Sequence, residues 1–215
     1  ATTLPNIVHP NLTISGPGAN QLAISGVPSD HQIFAITATN INLSLSGLTI
    51  TGGFAGQAVN AGTIEFNSPG SQLNLTACVL INTSGNARSH IYSNNSGGIT
   101  IADSVISSNT GGFGISVDRT PLTLTNSTVS GNALAGIRVF AVIPNSDLTL
   151  LNCTITSNGL NGIIYSTSLG GSGTIITKNS IIAGNANLQI NKGPNVVNSQ
   201  GNNLCSDATL TPTAA

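Results

Sequence analysis

Apolar and polar residues alternate along short stretches of this chain, and the stretches recur. The segment LTLTNSTVSGN at 122–132 returns as LTLLNCTITSN at 148–158, and looser copies stand at 43–53, 73–83, 99–109 and 175–185. Such alternation is typical of a β-strand with one buried face. It changes parity near Asn126, which predicts a turn, and a third short strand such as 136–139 follows a corner rich in Gly or Asn. Three short strands without a helical pattern predict one coil of a parallel β-helix.

One apolar position can be followed through the copies at spacings of 30, 26, 23, 26 and 27 residues. This core column consists of Ile50, Leu80, Ile106, Val129, Ile155 and Ile182. We therefore predict an all-β protein, a single-stranded right-handed parallel β-helix of about seven coils of roughly 26 residues with three short strands each. The 215 residues are expected to form one domain, with 1–42 as an irregular first coil, 43–204 as regular coils and 205–215 as a C-terminal tail.

Polar residues recur at the two predicted corners. The first corner places mostly small residues inward, namely Leu48, Cys78, Ser104, Ser127, Cys153 and Ser180. The second corner carries Thr83 and then an asparagine ladder of Asn109, Asn132, Asn158 and Asn185. Asparagine tolerates the left-handed backbone conformation, and its amide can bond to the same amide one coil away. We expect both properties in this ladder.

The composition narrows the range of partners. Charged residues are 5% of the chain and the net charge is -1, whereas an ordinary soluble domain has roughly 25% charged residues. A nucleic-acid surface and a polybasic membrane patch both need clustered charge, so we expect neither. The chain contains no run of about 20 apolar residues, which a transmembrane helix would need. The hydrophobic fraction of 39% is enough for a packed core.

Several motifs resemble those of a known group of proteins. These are LTI at 12–14 followed by GPG at 16–18, GLTITGG at 47–53, NSIIAGN at 179–185 and GNNLCSD at 201–207. They look like bacterial secreted or surface right-handed β-helix repeat proteins, which are relatives of the polymorphic outer-membrane-protein repeats. The resemblance implies an extracellular or bacterial cell-surface location. That group is defined by coil-forming residues and includes adhesins and passenger domains.

We accordingly predict a non-enzymatic extracellular structural or adhesive solenoid that needs no cofactor. The alternative is a carbohydrate-binding or polysaccharide-degrading β-helix protein. Hydrolysis needs two carboxylates within roughly 5–10 Å of each other, and lyase chemistry needs a calcium-binding acidic cluster and a base. The acidic residues are Asp30, Glu65, Asp103, Asp118, Asp147 and Asp207.

Only Asp103 lies within a repeated strand-turn unit, where we expect it to bond backbone N–H groups at the corner. Asp118 and Asp147 are placed in loops before neighbouring first strands, so they can approach each other across one coil. Arg119 and Arg138 are nearby in sequence. We interpret this group as a small ionic surface patch rather than a catalytic site.

The histidines and cysteines do not form a metal-binding pattern. His9, His31 and His90 stand in different local contexts, and we interpret them as solvated loop residues. Cys78 and Cys153 share a column but lie three coils apart, roughly 14 Å, which is too far for a disulfide. We predict two buried free thiols, and chain outside this sequence is a candidate partner for Cys205.

The aromatic and threonine residues offer two further binding hypotheses. A ladder of T-x-T motifs, as in an ice-binding face, is interrupted beside Thr123 and Thr125 by Ala102 and Leu151. Aromatic residues are 3% of the chain, and a group of them on one face would favour ligand binding. We expect end-of-strand packing for the four late aromatic residues, which are Tyr92, Phe113, Phe140 and Tyr165.

The two ends of the chain show no helix or charge cluster that would cover an open β-helix. Residues 1–8 have a strand-like pattern, and 208–215 carry no helical signal. Unpaired strand edges are usually covered. We therefore expect end-to-end self-association or coverage by further chain of the same polypeptide, with surface glycans as the other candidate partner.

Overall fold

The computed structural model describes residues 6–26, 32–55, 62–85, 89–141, 146–167, 173–193, 195–208 and 210. Within these residues the chain forms β-strands and no helix, and therefore no helix able to cross a membrane. Almost all of the strands belong to three parallel sheets that run along the molecule. The expectation about covered ends concerned residues 1–8 and 208–215. Of these, residues 1–5, 209 and 211–215 lie outside the described residues.

The three sheets are named A, B and C in the order in which the chain visits them. Sheet A contains β1 (Asn11–Ser15), β4 (Asn42–Ser46), β8 (Gln72–Thr76), β12 (Gly98–Ala102), β15 (Leu122–Thr125), β18 (Leu148–Leu151), β21 (Thr174–Lys178) and β24 (Val196–Ser199). Sheet B contains β2 (Ala23–Ser25), β5 (Thr49–Thr51), β9 (Val79–Ile81), β13 (Val105–Ser107), β16 (Thr128–Ser130), β19 (Thr154–Thr156), β22 (Ile181–Ala183) and β25 (Leu204–Cys205). Sheet C contains β3 (Phe34–Ile36), β7 (Ile64–Phe66), β11 (Ser89–Asn94), β14 (Phe113–Asp118), β17 (Ile137–Ala141), β20 (Ile163–Thr167) and β23 (Ile190–Asn191). A small pair adds β6 (Phe54–Ala55) and β10 (Ser84–Gly85).

Each coil contributes one strand to each sheet in turn. Seven coils are complete, and an eighth contributes β24 and β25, which confirms the predicted solenoid of about seven coils. Neighbouring coils pair in parallel with equivalent residues opposite each other, as in Leu124 with Leu150 and Val129 with Ile155. The register therefore stacks like residues in columns, and each strand satisfies its backbone groups through the coils on either side.

The two ends of the described chain are more regular than the sequence pattern suggests. β1, β2 and β3 give the first coil one strand in each sheet, and Leu12 pairs with Leu43 in the next coil. Cys205 lies in β25 opposite Ile182, so the coil structure extends beyond the predicted boundary at 204. Pairing is made by backbone groups, so a strand joins the sheet even where its side-chain alternation is weak.

The inward side chains of the three sheets form one continuous core. The predicted core column is fully buried at 0% exposure in each of Ile50, Leu80, Ile106, Val129, Ile155 and Ile182. Burial of an aliphatic side chain of this size stabilises the fold by about 1.5–3 kcal/mol. The core therefore fixes which residues of each strand face outward.

The inward residues of the first corner have a hydrogen-bonding role as well as a small size. The hydroxyl oxygens of Ser104, Ser127 and Ser180 each accept the N–H of the corner residue one coil earlier, at 3.1 Å. These serines are almost fully buried, like Cys78 and Cys153. A serine at this position thus satisfies a backbone donor that the turn would otherwise leave without a partner.

The turn inferred near Asn126 is present and uses the left-handed conformation. The φ angle is 49° at Asn126 and 51° at Asp103. At the second corner we expected the ladder asparagines themselves to adopt the left-handed conformation, and this was wrong. Positive φ occurs instead in the residue before each ladder asparagine, as in Ser108 and Ser157. The ladder asparagine points inward, so the preceding exposed or half-buried residue makes the turn.

Candidate functional site

A groove of about 400 Å³ lies on the outer face of sheet C, across the third, fourth and fifth coils. Six side chains line it, namely Tyr92 from β11, Phe113, Ser116 and Asp118 from β14, and Arg138 and Phe140 from β17. Three of the seven aromatic residues of the chain therefore meet in one place.

Strand register brings these residues together. Tyr92, Ser116 and Arg138 occupy one column of paired residues, and Asp118 pairs with Phe140 two positions further along the strands. The residues between them are inward and fully buried, namely Ile91, Ile115, Val117, Ile137 and Val139. Since side chains alternate across a strand, the column of Tyr92 faces outward. The core thus sets the orientation of the groove.

Arg138 contacts three of the other five lining residues of the groove. Its guanidinium carbon lies 5.7 Å from the ring centroid of Phe113 and 5.4 Å from that of Phe140. Its Nη1 donates to Ser116 Oγ at 3.1 Å, and Ser116 is only 2% exposed although its column faces outward. Two cation–π contacts and one hydrogen bond therefore hold the guanidinium in place.

The ionic patch differs from the one predicted. Asp118 is the last residue of β14 rather than a loop residue, and its Oδ1 lies 3.5 Å from Arg119 Nε. Arg119 also donates from Nη2 to Asn94 Oδ1 at 2.6 Å. The Asp147 carboxylate has a different partner, because it accepts the backbone N–H of Thr174 at 2.9 Å. The structure thus groups Asp118 with Arg119 and Arg138, and Asp147 belongs to another corner.

One more carboxyl lies beside the groove without lining it. Glu65 pairs with Tyr92 one coil away, and it accepts hydrogen bonds from Gln32 Nε2 at 3.2 Å and Asn67 Nδ2 at 2.8 Å. Burial raises the pKa of Glu65, while the hydrogen bond from Asn67 lowers it. The Glu65 carboxyl is therefore hydrogen-bonded to two side-chain amides. Asp118 is the sole carboxylate among the lining residues.

This arrangement is suited to binding. Aromatic faces pack against the apolar faces of a ligand, and Arg138, Asp118 and Ser116 offer donors and acceptors for polar groups. The described residues contain no group of three His, Cys, Asp or Glu side chains able to hold a metal ion. The lining residues of the groove also lack the second carboxylate that glycoside hydrolysis requires.

The asparagine ladder supports the groove from inside the coil. Asn132 Nδ2 donates to Asn158 Oδ1 at 2.9 Å, and Asn158 Nδ2 donates to Asn185 Oδ1 at 2.8 Å. Asn109 joins through its backbone N–H, which donates to Asn132 Oδ1, and its own amide donates to the carbonyl of Phe113 at 2.7 Å. The buried ladder thus ends at the backbone of a groove residue.

A second ladder on the surface was not predicted. Asn126, Asn152, Asn179 and Asn202 each donate from Nδ2 to the equivalent side chain one coil earlier, at 3.0–3.1 Å. This ladder begins at Asp103, whose carboxylate accepts a hydrogen bond from the Asn126 side chain. We had expected Asp103 to bond backbone N–H groups instead. The recurrence of asparagine at this corner was the signal in the sequence. Asparagine is favoured at the positive φ that each of these positions has, and its amide then projects along the stack.

His90 is not a solvated loop residue. It lies in β11 with 0% exposure; its Nε2 is 2.7 Å from the carbonyl oxygen of Ser107, and its Nδ1 is 2.5 Å from Thr83 Oγ1. A carbonyl only accepts, so Nε2 carries the proton. An imidazole with both nitrogens bonded can be buried in its neutral form. His9 is exposed as expected, and His31 and Asp30 lie outside the described residues.

The remaining sequence candidates lie in the core or at its edge. Cys78 and Cys153 are buried thiols, and burial raises the pKa of each. Cys205 is half-buried and its thiol donates to Asp207. Tyr165 is also buried; its hydroxyl donates to the Ser146 carbonyl at 2.8 Å, and burial with the nearby Asp147 charge raises its pKa to about 12.

End-of-strand packing is therefore the wrong description of the other three aromatic residues. Tyr92, Phe113 and Phe140 are half-buried around the groove. The aligned third strands already place Ser116 and Arg138 at equivalent outward positions, so this signal was present in the sequence. The clustering of the rings depends on how neighbouring coils stack, and no repeated motif marks it.

The family of the chain follows from its comparison with family models. Residues 33–210 match the right-handed beta helix region, so the chain belongs to this family. The match supports the predicted fold, while a relation to surface repeat proteins stays a prediction. No curated protein matches this chain.

Three solved structures were found to be similar. Pectate lyase Pel9A has 15% identity and a TM-score of 0.44, with 91% of this chain and 62% of that chain covered. The A-modules of two Azotobacter vinelandii mannuronan C-5 epimerases, AlgE4 and AlgE6, each have 12% identity and a TM-score of 0.23. The alignments cover 94% and 95% of this chain, and 83% and 85% of those modules. This chain thus spans only 62% of the pectate lyase, and we draw no functional conclusion from these three.

Proposed function

We propose that this protein is an extracellular adhesive β-helix that binds carbohydrate chains without cleaving them, through the groove on sheet C. The observation that carries the proposal is the presence of Tyr92, Phe113 and Phe140 in one groove, where the rings of Phe113 and Phe140 contact Arg138. In a chain with 3% aromatic residues, such a group on one outer face is the feature that favours ligand binding over a purely structural solenoid.

The physical chemistry of the groove suits a sugar chain. A pyranose ring has an apolar face that packs on an aromatic ring and an edge of hydroxyl groups that needs hydrogen-bond partners. The lining residues span three coils, which at a strand separation of about 4.8 Å is about 10 Å along the axis. They stand on a sheet whose core is fully packed, so little side-chain freedom is lost on binding.

Binding without cleavage is supported by the charges of the groove. Asp118 is its one lining carboxylate, and its Oδ1 lies 3.5 Å from Arg119 Nε. General acid catalysis on a glycosidic bond needs a protonated carboxyl and a second carboxylate on the other side of the bond. The lining residues do not provide this pair.

The test is a binding assay with a panel of soluble neutral and anionic polysaccharides, by affinity electrophoresis and calorimetry. Tyr92→Ala and Phe140→Ala should each weaken binding about tenfold, because each removes a stacking surface. Thr149→Ala is the matched control, since Thr149 lies half-buried on sheet A and should bind like the wild type. Unchanged binding in both aromatic variants, or no binding to any polysaccharide, would refute the proposal.

We also infer an end-to-end contact, either with a second copy or with further chain of the same polypeptide. Within the described residues, β24 and β25 each pair with one neighbour only, and they expose Val196 at 62% and Leu204 at 59%. An unpaired strand edge beside exposed apolar groups favours addition of another strand. A head-to-tail contact that does not close propagates as a filament. A sedimentation coefficient that is independent of protein concentration and corresponds to a monomer would contradict self-association of this chain.

A further inference from the structure

The charge of Arg138 has no counter-ion within the described part of the molecule. Among the described residues, its guanidinium donates to one polar group, the neutral hydroxyl of Ser116, at 3.1 Å. Phe113 and Phe140 contact the guanidinium through their rings and carry no charge. Arginine has five N–H donors in a rigid plane, so donors remain for a ligand.

The other charged groups near the groove have partners of their own. Asp118 and Arg119 form a pair at 3.5 Å, and Arg119 also donates to Asn94. Glu65 accepts from Gln32 and Asn67. The positive charge of Arg138 is therefore the unmatched charge of the groove, in a chain whose charged residues are only 5%.

The geometry around Arg138 also lowers the cost of binding an anion. A guanidinium that is held between two rings has already lost much of its side-chain freedom, so less is lost when a ligand binds. The planar donor pair matches the two oxygens of a carboxylate or of a sulfate group, and such charge-assisted bonds are stronger than bonds to neutral hydroxyls. A neutral sugar would leave this capacity unused.

We propose that the groove selects sugar units that carry an oxyanion, a carboxylate or a sulfate ester, and that Arg138 binds this group. This inference rests on the proposed carbohydrate binding and names the chemical class of the ligand. In this arrangement the rings of Tyr92 and Phe140 pack against the sugar, while the guanidinium of Arg138 bonds to the oxyanion.

The experiment compares three polymers with one backbone: dextran, carboxymethyl dextran and dextran sulfate. The wild-type protein should bind at least one anionic polymer about tenfold more tightly than dextran. Arg138→Gln should lose this preference and keep the weak binding to dextran, because the rings remain. Arg138→Lys keeps the charge without the planar donor pair and should lie between the two. The difference between carboxymethyl dextran and dextran sulfate identifies which oxyanion is preferred.

Controls separate this inference from diffuse attraction and from misfolding. Lys178→Gln removes one positive charge from an exposed position on sheet A and should leave the preference unchanged. Circular dichroism and the melting temperature of Arg138→Gln should match the wild type, because Arg138 is only half-buried. An equal loss of anion binding in Lys178→Gln and Arg138→Gln would overturn the inference.

The remaining outcomes distinguish the two proposals. Equal affinity for all three dextrans, or binding of another neutral polysaccharide only, overturns the oxyanion preference and leaves the proposed carbohydrate binding intact when Tyr92→Ala still weakens it. No binding to any polysaccharide overturns both.

Discussion

Acid should destabilise this protein through one buried histidine. His90 connects the second, third and fourth coils, because its ring nitrogens bond to Thr83 and Ser107 and Thr83 Oγ1 lies 2.7 Å from Thr63 Oγ1. Burial lowers the pKa of His90 from 6.5 to about 4, although the hydrogen bond to Ser107 acts in the opposite direction. The folded protein therefore holds this imidazole neutral at pH values where an unfolded chain protonates it.

The size of the effect follows from this difference in pKa. Between pH 6.5 and about pH 4 the unfolded chain binds a proton at His90 that the folded chain does not bind, so the free energy of unfolding falls as the pH falls. Each pKa unit corresponds to 1.36 kcal/mol, and the pKa falls from 6.5 to about 4. The loss is thus about 3 kcal/mol near pH 4, a large part of the roughly 5–15 kcal/mol that is typical of a domain.

The assay is denaturant unfolding of the wild type and of His90→Gln at several pH values between 7 and 4. Glutamine does not titrate, so the wild type should lose about 3 kcal/mol more than this variant on acidification. His9→Gln changes an exposed histidine and should behave like the wild type. Parallel pH dependence of wild type and His90→Gln, or an NMR titration of His90 in the ordinary histidine range, would refute the reasoning.

Three further predictions concern the core, the ladder and catalysis. Ile155→Asp should cost more than about 4 kcal/mol and unfold the neighbouring coils, because an unpaired charge would replace a fully buried side chain; a soluble variant with native melting behaviour would contradict this. Asn158→Ala should lower the free energy of unfolding by about 2–4 kcal/mol, since it breaks the buried bonds to Asn132 and Asn185. Asn152→Gly breaks exposed bonds at a φ of 55° and should lower the free energy of unfolding by less than half as much. Incubation with acidic or neutral polysaccharides, with or without calcium, should release no products, and cleavage that disappears in Asp118→Asn would show that the protein is an enzyme.

Much of the fold could be predicted from the sequence because each coil repeats the same local requirements. The apolar column from Ile50 to Ile182 is visible as a repeated inward position, and it is buried throughout. The corner near Asn126 appears as a change of parity, and it has the positive φ that asparagine tolerates. Strand alternation and turn chemistry are local, so a single sequence is enough to reveal them.

Details that depend on contacts between coils needed the structure. At the second corner the sequence marks the asparagine that recurs, but it does not tell which of two adjacent residues takes the left-handed conformation; the inward position of Asn158 decides that Ser157 does. Likewise the burial of His90 depends on Thr83 and Ser107, which approach it from different strands and coils.

The candidate site shows the same division most clearly. Alternation in the third strand of each coil is enough to place Arg138 on an outer face. The grouping of Tyr92, Phe113 and Phe140 in the same groove depends on the register and on the unequal lengths of neighbouring coils. These residues differ from coil to coil and leave no periodic signal. The sequence by itself therefore determined the solenoid and its core, and only the stacking of the coils decided which of the non-repeating side chains became neighbours.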